Sequence, residues 1–321
     1  MFKAILLFIV GLVLLIKGGD WFVDGATGLA RRFRIPEIIV GATVVSIGTT
    51  LPEVMVSATG ALGGQGSMAY GNAIGSIICN TALIAALTIA IRPAPVNTKA
   101  LKMPVLFFFG AALLYCILSY TTGYFSRPFG LLLLVIFVVY MVLTVRQGFR
   151  NPVEHEDEEE SEASKALWKE LVLLVVGAAI IAVGADLLVD NGTFIAKELG
   201  VPETVIALTF VALGTSLPEL VTAITSLAKG HGALSLGNII GANLFNLVLV
   251  SGVSVALAPF DIPSTATLFG RNASLVLDLP VMLAVMLLLT VPALARKKLS
   301  RWQGILLLCI YAAFCAVQFT M

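Results

Sequence analysis

The sequence predicts an all-α membrane protein: ten transmembrane helices in two inverted five-helix repeats. Three observations carry that prediction. Of 321 residues, 59% are hydrophobic and only 12% charged, and mean hydropathy is +1.00; a soluble domain has about twice that share of charge. Lysine and arginine fall almost wholly into alternate loops. The two halves of the chain match at one fixed offset.

Apolar runs long enough to cross a bilayer, ~20 residues, occupy 4–29, 35–62, 67–91, 101–119 and 127–147, then 168–195, 201–228, 233–259, 274–294 and 302–320. The first, Met1 to Ile16, has the apolar character of a signal sequence after Lys3. However, Lys17-Gly18-Gly19-Asp20 offers no small-residue cleavage site, so the segment is expected to be a retained span. Three units are expected: 1–150, 151–166 and 167–321. The middle one holds Glu154-His155-Glu156-Asp157-Glu158-Glu159-Glu160, which reads as a solvated tether rather than a calcium loop.

Fifteen Lys and Arg residues lie in one set of loops and four (Lys3, Arg127, Lys197, Arg271) in the other. By the positive-inside rule, both termini are expected outside a cell membrane and the acidic linker in the cytoplasm. The partners implied are the lipid bilayer and small ions; no basic aromatic patch suggests nucleic acid.

Shifting the chain by 166 residues aligns Gly11–Asn80 with Gly177–Asn246 without a gap, with 24 identities in 70 positions. Shared apolar composition would match leucines. It would not match Asp20/Asp186, Asp24/Asp190, Pro36/Pro202, Glu53/Glu219 and Asn80/Asn246. Five spans per half is an odd number, so the second copy enters the membrane upside down, the building plan of many secondary transporters.

Inside spans two and seven stand Gly48-Thr49-Thr50-Leu51-Pro52-Glu53 and Gly214-Thr215-Ser216-Leu217-Pro218-Glu219. An intramembrane carboxylate is costly and usually functional. Pro52 removes a donor to the carbonyl four residues earlier, so a kink is expected to free carbonyls around Ser46 to Gly48, and near Ala212 in the second copy. Thr49, Thr50 and Glu53 share one helical face, as do Thr215, Ser216 and Glu219. Carboxylate, hydroxyls and carbonyls make an all-oxygen set suited to a hard cation. Asn72, Ser76 and Asn80 line one face of span three; Asn238, Asn243 and Asn246 recur in span eight, with Ala242 in place of Ser76. Asn72 and Asn238 are expected to bond between helices, with their flanking glycines allowing close approach, and Asn80 and Asn246 to face the ion.

Other polar residues read as structural. Asp20, Asp24, Asp186 and Asp190 lie toward span ends, with Lys17 one turn from Asp20, and Asp278 is expected at the interface. His155 and His231 are expected in loops, without partners at metal-ligand spacing. Cys79, Cys116, Cys309 and Cys315 lack ligand spacing and read as packing residues.

These motifs resemble the cation/calcium exchanger superfamily, in particular its sodium/calcium exchangers, whose two repeats carry G-T-S-x-P-E followed by G-N-x-x-G-S-x-x-x-N. The resemblance implies Ca²⁺ and Na⁺ as transported ions and no organic cofactor. It implies calcium held mainly by Glu53 and Glu219, with oxygens from Thr49 and Thr215. Thr50, Ser76, Ser216, Asn80 and Asn246, with the carbonyls of Ser46 and Ala212, would form sodium sites or a central water site. Ala242 lacks a hydroxyl that many relatives have, which puts one sodium site in doubt, and the amide of Asn246 argues against potassium coupling.

A proton/calcium antiporter of the same superfamily is the alternative, although Gly71-Asn72-Ala73-Ile74 lacks the acidic residues such relatives add. A passive channel would need a ring of like charge or a carbonyl filter. No nucleophile–base pair or H-E-x-x-H motif suggests an enzyme.

Overall fold

The computed structural model describes residues 1–93, 95–150, 167–200, 214–264 and 267–318. Nine described helices are long and apolar enough to cross a membrane: α1 (Phe2–Arg32), α2 (Glu37–Leu62), α3 (Gly66–Ile91), α4 (Thr98–Thr121), α5 (Arg127–Arg150), α6 (Leu167–Glu198), α8 (Gly232–Leu257), α9 (Ser274–Arg296) and α10 (Arg301–Gln318). The seventh span is described as α7, Leu217–Ala228. Every predicted span therefore has a helix on it, and the fold is the all-α bundle expected, with ten membrane helices in two inverted repeats. Two-residue antiparallel ladders, Tyr124–Phe125 with Phe260–Asp261 and Thr267–Leu268 with Arg271–Asn272, are the described exceptions to helix. The acidic run and its expected tether lie outside the described residues, as do Ala212 and Pro202.

Burial sorts the helices into layers. The most apolar stretch of α8 is 83% buried and that of α3 72%, against 28% for α1, α5 and α6. Without water in the surroundings, an exposed apolar face is a lipid face, so α8, α3 and α2 form the centre. Phe108, Tyr115, Phe125, Phe129, Tyr140 and Phe245 fill the space beside them.

The inversion is written in the contact between α1 and α6. A Cβ on Gly11 would stand 2.9 Å from the Gly184 carbonyl, and one on Gly18 would stand 3.0 Å from the Gly177 carbonyl. The reverse approaches, Gly184 to Gly11 and Gly177 to Gly18, have the same spacings. Gly11 is the repeat mate of Gly177, and Gly18 of Gly184. The repeat therefore carries each contact onto the other, and the residue numbers run in opposite directions along the pair. Two copies of one helix cross antiparallel at backbone contact, which requires glycine.

Pro52 does not interrupt its helix: Ser46–Leu62 continues regularly through it. In place of the expected kink, a widened π turn lies about two turns before Pro52, at Gly41–Val45. Similar turns occupy Asn80–Ala85 and Asn246–Val250. A π turn displaces a carbonyl from its usual partner, and such bulges gather at functional sites. Two of the displaced carbonyls are met by a serine five residues on: Ser46 Oγ donates to Gly41 O at 2.8 Å and Ser251 Oγ to Asn246 O at 3.2 Å.

Candidate functional site

The paired motifs meet in the interior. Glu53 and Glu219 are completely buried, one on α2 and one on α7. Thr49 and Thr50 of the first repeat lie beside the Glu219 carboxylate. Even so, no described group completes a hydrogen bond to any of the four carboxylate oxygens.

The same condition holds around them. Thr50 Oγ1, Ser216 Oγ and both side-chain polar atoms of Asn80 and Asn246 are buried without a described partner. Together with the glutamates these residues form three repeat-equivalent pairs: Glu53/Glu219, Thr50/Ser216 and Asn80/Asn246. Buried polar groups are almost always hydrogen-bonded, and an uncompensated buried carboxylate costs several kcal/mol or about that order. Such groups gathered on two inverted copies fit a hard cation as the missing partner.

The neighbouring residues brace this set. Thr49 Oγ1 donates to Asn238 Oδ1 at 3.3 Å, and its repeat mate Thr215 donates to Asn72 Oδ1 at 3.2 Å. Asn72 Nδ2 donates to the Glu53 carbonyl at 3.2 Å and to Ser57 Oγ at 2.8 Å. Asn72 and Asn238 thus bond between helices, as their position on the glycine-lined face suggests. With their protons so directed, the two threonine oxygens keep lone pairs for another partner.

The Ser46 side chain ties α2 to α8. Its hydroxyl donates to the backbone of α8 at Asn238 O, 3.0 Å away, besides closing the π turn. Backbone approach makes this contact possible: a Cβ on Gly41 would stand 2.8 Å from Asn238 N, and one on Gly241 2.6 Å from Ala42 Cα. Gly71 and Gly75, by contrast, meet no described atom within 4 Å. They line a cavity of about 320 Å³ with Asp278 and Gln318, so close packing at the glycines holds for α8 only. Ser76 is 4% exposed and lies one turn before Asn80, and Ala242 is fully buried at the equivalent place. Ala212 lies outside the described residues.

A larger cavity of about 860 Å³ runs between α6 and α2 to the depth of Gly48, Gly214 and Thr215.

The pairing of Asp20 departs from expectation. Asp20 and Asp24 pair with Lys229 at 3.4 and 2.8 Å, not with Lys17. His231 has a partner, its Nδ1 lying 2.7 Å from Glu37 Oε1. Asp278 of α9 accepts a hydrogen bond from Gln318 Nε2 of α10 at 2.8 Å. Cys79 and Cys116 are buried as packing residues, but Cys309 is exposed. The signal missed for Asp20 and His231 was long-range: each partner lies roughly 200 residues away, 209 and 194 in sequence.

Comparison with known proteins agrees with this architecture. The family model described as "Sodium/calcium exchanger protein" matches twice, at residues 3–146 and 169–320. The putative antiporter CaxA of Alkalimonas amylolytica is 36% identical, covering 98% of each chain. The sodium/calcium exchanger MaX1 of Methanosarcina acetivorans is 28% identical, also covering 98% of each. Among solved structures, the sodium-calcium exchanger NCX_Mj, soaked in Na⁺ without Ca²⁺, superposes with a TM-score of 0.81 at 33% identity, covering 98% of each chain. With both halves matched and nearly the whole chain covered, this chain belongs to the sodium/calcium exchanger protein family.

Proposed function

We propose that the protein exchanges Na⁺ for Ca²⁺ across a cell membrane, using one buried site that opens alternately to either side. The carrying observation is the set of three repeat-equivalent pairs, Glu53/Glu219, Thr50/Ser216 and Asn80/Asn246, whose buried polar atoms have no described partner. Glu53 and Glu219 hold the divalent ion, with Thr49 and Thr215 adding hydroxyl oxygens. Thr50, Ser216, Ser76, Asn80 and Asn246, with the carbonyls of Ser46 and Ala212, serve Na⁺ or a central water. The units 1–150 and 167–321 are the two inverted repeats, joined by 151–166 on the cytoplasmic side, with both termini outside.

In this reading three Na⁺ enter as one Ca²⁺ leaves. Two glutamates neutralise one Ca²⁺, whereas three Na⁺ leave one positive charge in excess. Moving that charge through a membrane potential is worth ~2.3 kcal/mol per 100 mV. Exchange is therefore electrogenic in this reading, and α1 and α6, the crossed pair, slide together past the remaining helices to switch access.

The test is Ca²⁺ uptake into Na⁺-loaded proteoliposomes, with potential clamped at two values and Glu53→Gln and Glu219→Gln alongside. Uptake that needs the Na⁺ gradient, responds to potential and disappears in both variants supports the reading. Uptake driven equally well by a proton gradient alone would favour a proton/calcium antiporter. Flux that needs no counter-ion would favour a channel.

A further inference from the structure

The two entrances to the buried site are related by the repeat, yet the structure builds them differently. At one, α1 meets α7 directly: a Cβ on Gly19 would stand 2.7 Å from Val221 Cγ1 and 2.9 Å from Thr225 Oγ1. Just beyond this contact, Lys229 Nζ reaches three oxygens of α1: Asp24 Oδ1 at 2.8 Å, Asp20 Oδ1 at 3.4 Å and the Asp20 carbonyl at 3.0 Å. At the other entrance the repeat mates of Gly19, Asp20 and Asp24 are Ala185, Asp186 and Asp190. These three line the 860 Å³ cavity, and Met55, the mate of Val221, lines it as well. The mate of Lys229 is Gly63. Among the described residues, neither Asp186 nor Asp190 meets a cation. The carboxylates are thus duplicated, but the lysine that ties them down is present at one end only.

We propose that Lys229 is a one-sided latch, a positioning residue that holds the α1–α7 entrance shut and so biases access toward the α6–α2 side. The proposal rests on the alternating-access reading above. Because α1 and α6 touch backbone to backbone along their crossing, closing one entrance shifts the helix that borders the other. A contact made in only one of two states changes their ratio by its own free energy. The ion pair is partly exposed, with Lys229 at 28% and Asp24 at 54%, so its effect belongs at the modest end for surface networks. That still corresponds to a population ratio changed by about threefold.

The experiment uses the full chain in proteoliposomes and an impermeant thiol reagent, with modification followed by mass spectrometry of the labelled peptide. Thr225→Cys reports on the latched entrance and Met55→Cys on the cavity entrance. Lys229→Met is expected to speed modification at position 225 by about threefold and slow it at position 55, while Lys229→Arg keeps both rates near those of the parent. Gly63→Lys, which offers Asp186 and Asp190 the missing cation, is expected to slow modification at position 55. Unchanged rates at both positions in Lys229→Met, or a change that Lys229→Arg shares, would overturn the latch. Labelling needs no transport, so failure of Na⁺-driven Ca²⁺ uptake would remove the functional reading without altering this readout. Sided Ca²⁺ titrations add a second check: apparent affinity improves from the latched side and worsens from the other, a split that simple destabilisation does not produce.

Discussion

Thr49 donates its hydroxyl proton to the amide oxygen of Asn238 at 3.3 Å, and the repeat reproduces the bond between Thr215 and Asn72 at 3.2 Å. Each bond joins a motif threonine of one repeat to the asparagine of the other. It fixes where the threonine proton points, and hence where its oxygen lone pairs remain.

Replacing that hydroxyl separates orientation from packing. Thr49→Val keeps the shape but leaves the Asn238 oxygen with Ser46 as its hydroxyl donor. A loss of about 1–2 kcal/mol in stability is expected, together with roughly tenfold weaker Ca²⁺ activation. Thr215→Val should behave alike. Thermal unfolding in detergent and Ca²⁺ titration of exchange measure the two effects, and equal stability with unchanged affinity would contradict the assignment.

The glutamates should show the opposite relation between stability and function. Two buried carboxylates without hydrogen-bond partners destabilise the ion-free protein. Glu53→Gln and Glu219→Gln are therefore expected to abolish exchange while leaving the melting temperature in chelator equal or higher. Ca²⁺ raises the melting temperature of the parent by binding the folded state alone; in both variants that rise should vanish. A melting temperature lowered in chelator would argue that the carboxylates serve the fold instead.

The crossing of α1 and α6 tolerates no side chain at Gly177, where a Cβ would stand 2.6 Å from Phe22 N. Gly177→Val pushes two backbones apart, and overpacking costs typically about 1–3 kcal/mol. Loss of folded yield or of exchange is expected. Gly71→Ala is the control, since nothing described lies within 4 Å of that position, and it should fold normally.

Ala242 offers a gain-of-function test. It is fully buried where the first repeat has Ser76. Ala242→Ser restores a hydroxyl at the equivalent position and is expected to lower the Na⁺ concentration for half-maximal exchange several-fold, with little change for Ca²⁺. Na⁺ titrations of Ca²⁺ uptake check it, and a variant that shifts both ions equally would place residue 242 outside the sodium sites.

The ten spans, the inverted repeat and the motif residues could be read directly because each rests on a strong one-dimensional signal. A bilayer demands about 20 apolar residues per crossing, duplicated Asp, Glu, Pro and Asn at offset 166 have no compositional explanation, and a carboxylate inside an apolar run is expensive. Asn72 and Asn238 were legible because each repeats the other at that offset, although glycines pack closely only beside Asn238. The irregular turns were not. Proline marked the wrong place in α2, because whether a helix bends at proline depends on what its neighbours offer the freed carbonyl. The π turns at Gly41–Val45, Asn80–Ala85 and Asn246–Val250 are set by packing against other helices.

What the sequence by itself determined is the membrane class, the number of crossings, the inversion and the identity of the paired polar residues. Composition and periodicity act within one segment, and the repeat carries them to the other half. Only the tertiary structure decided which side chains meet and which do not. It put Lys229 on Asp20 and Asp24, His231 on Glu37, and Asp186 beside a cavity. Those outcomes depend on distances between segments far apart in the chain, which close packing fixes and local pattern does not record.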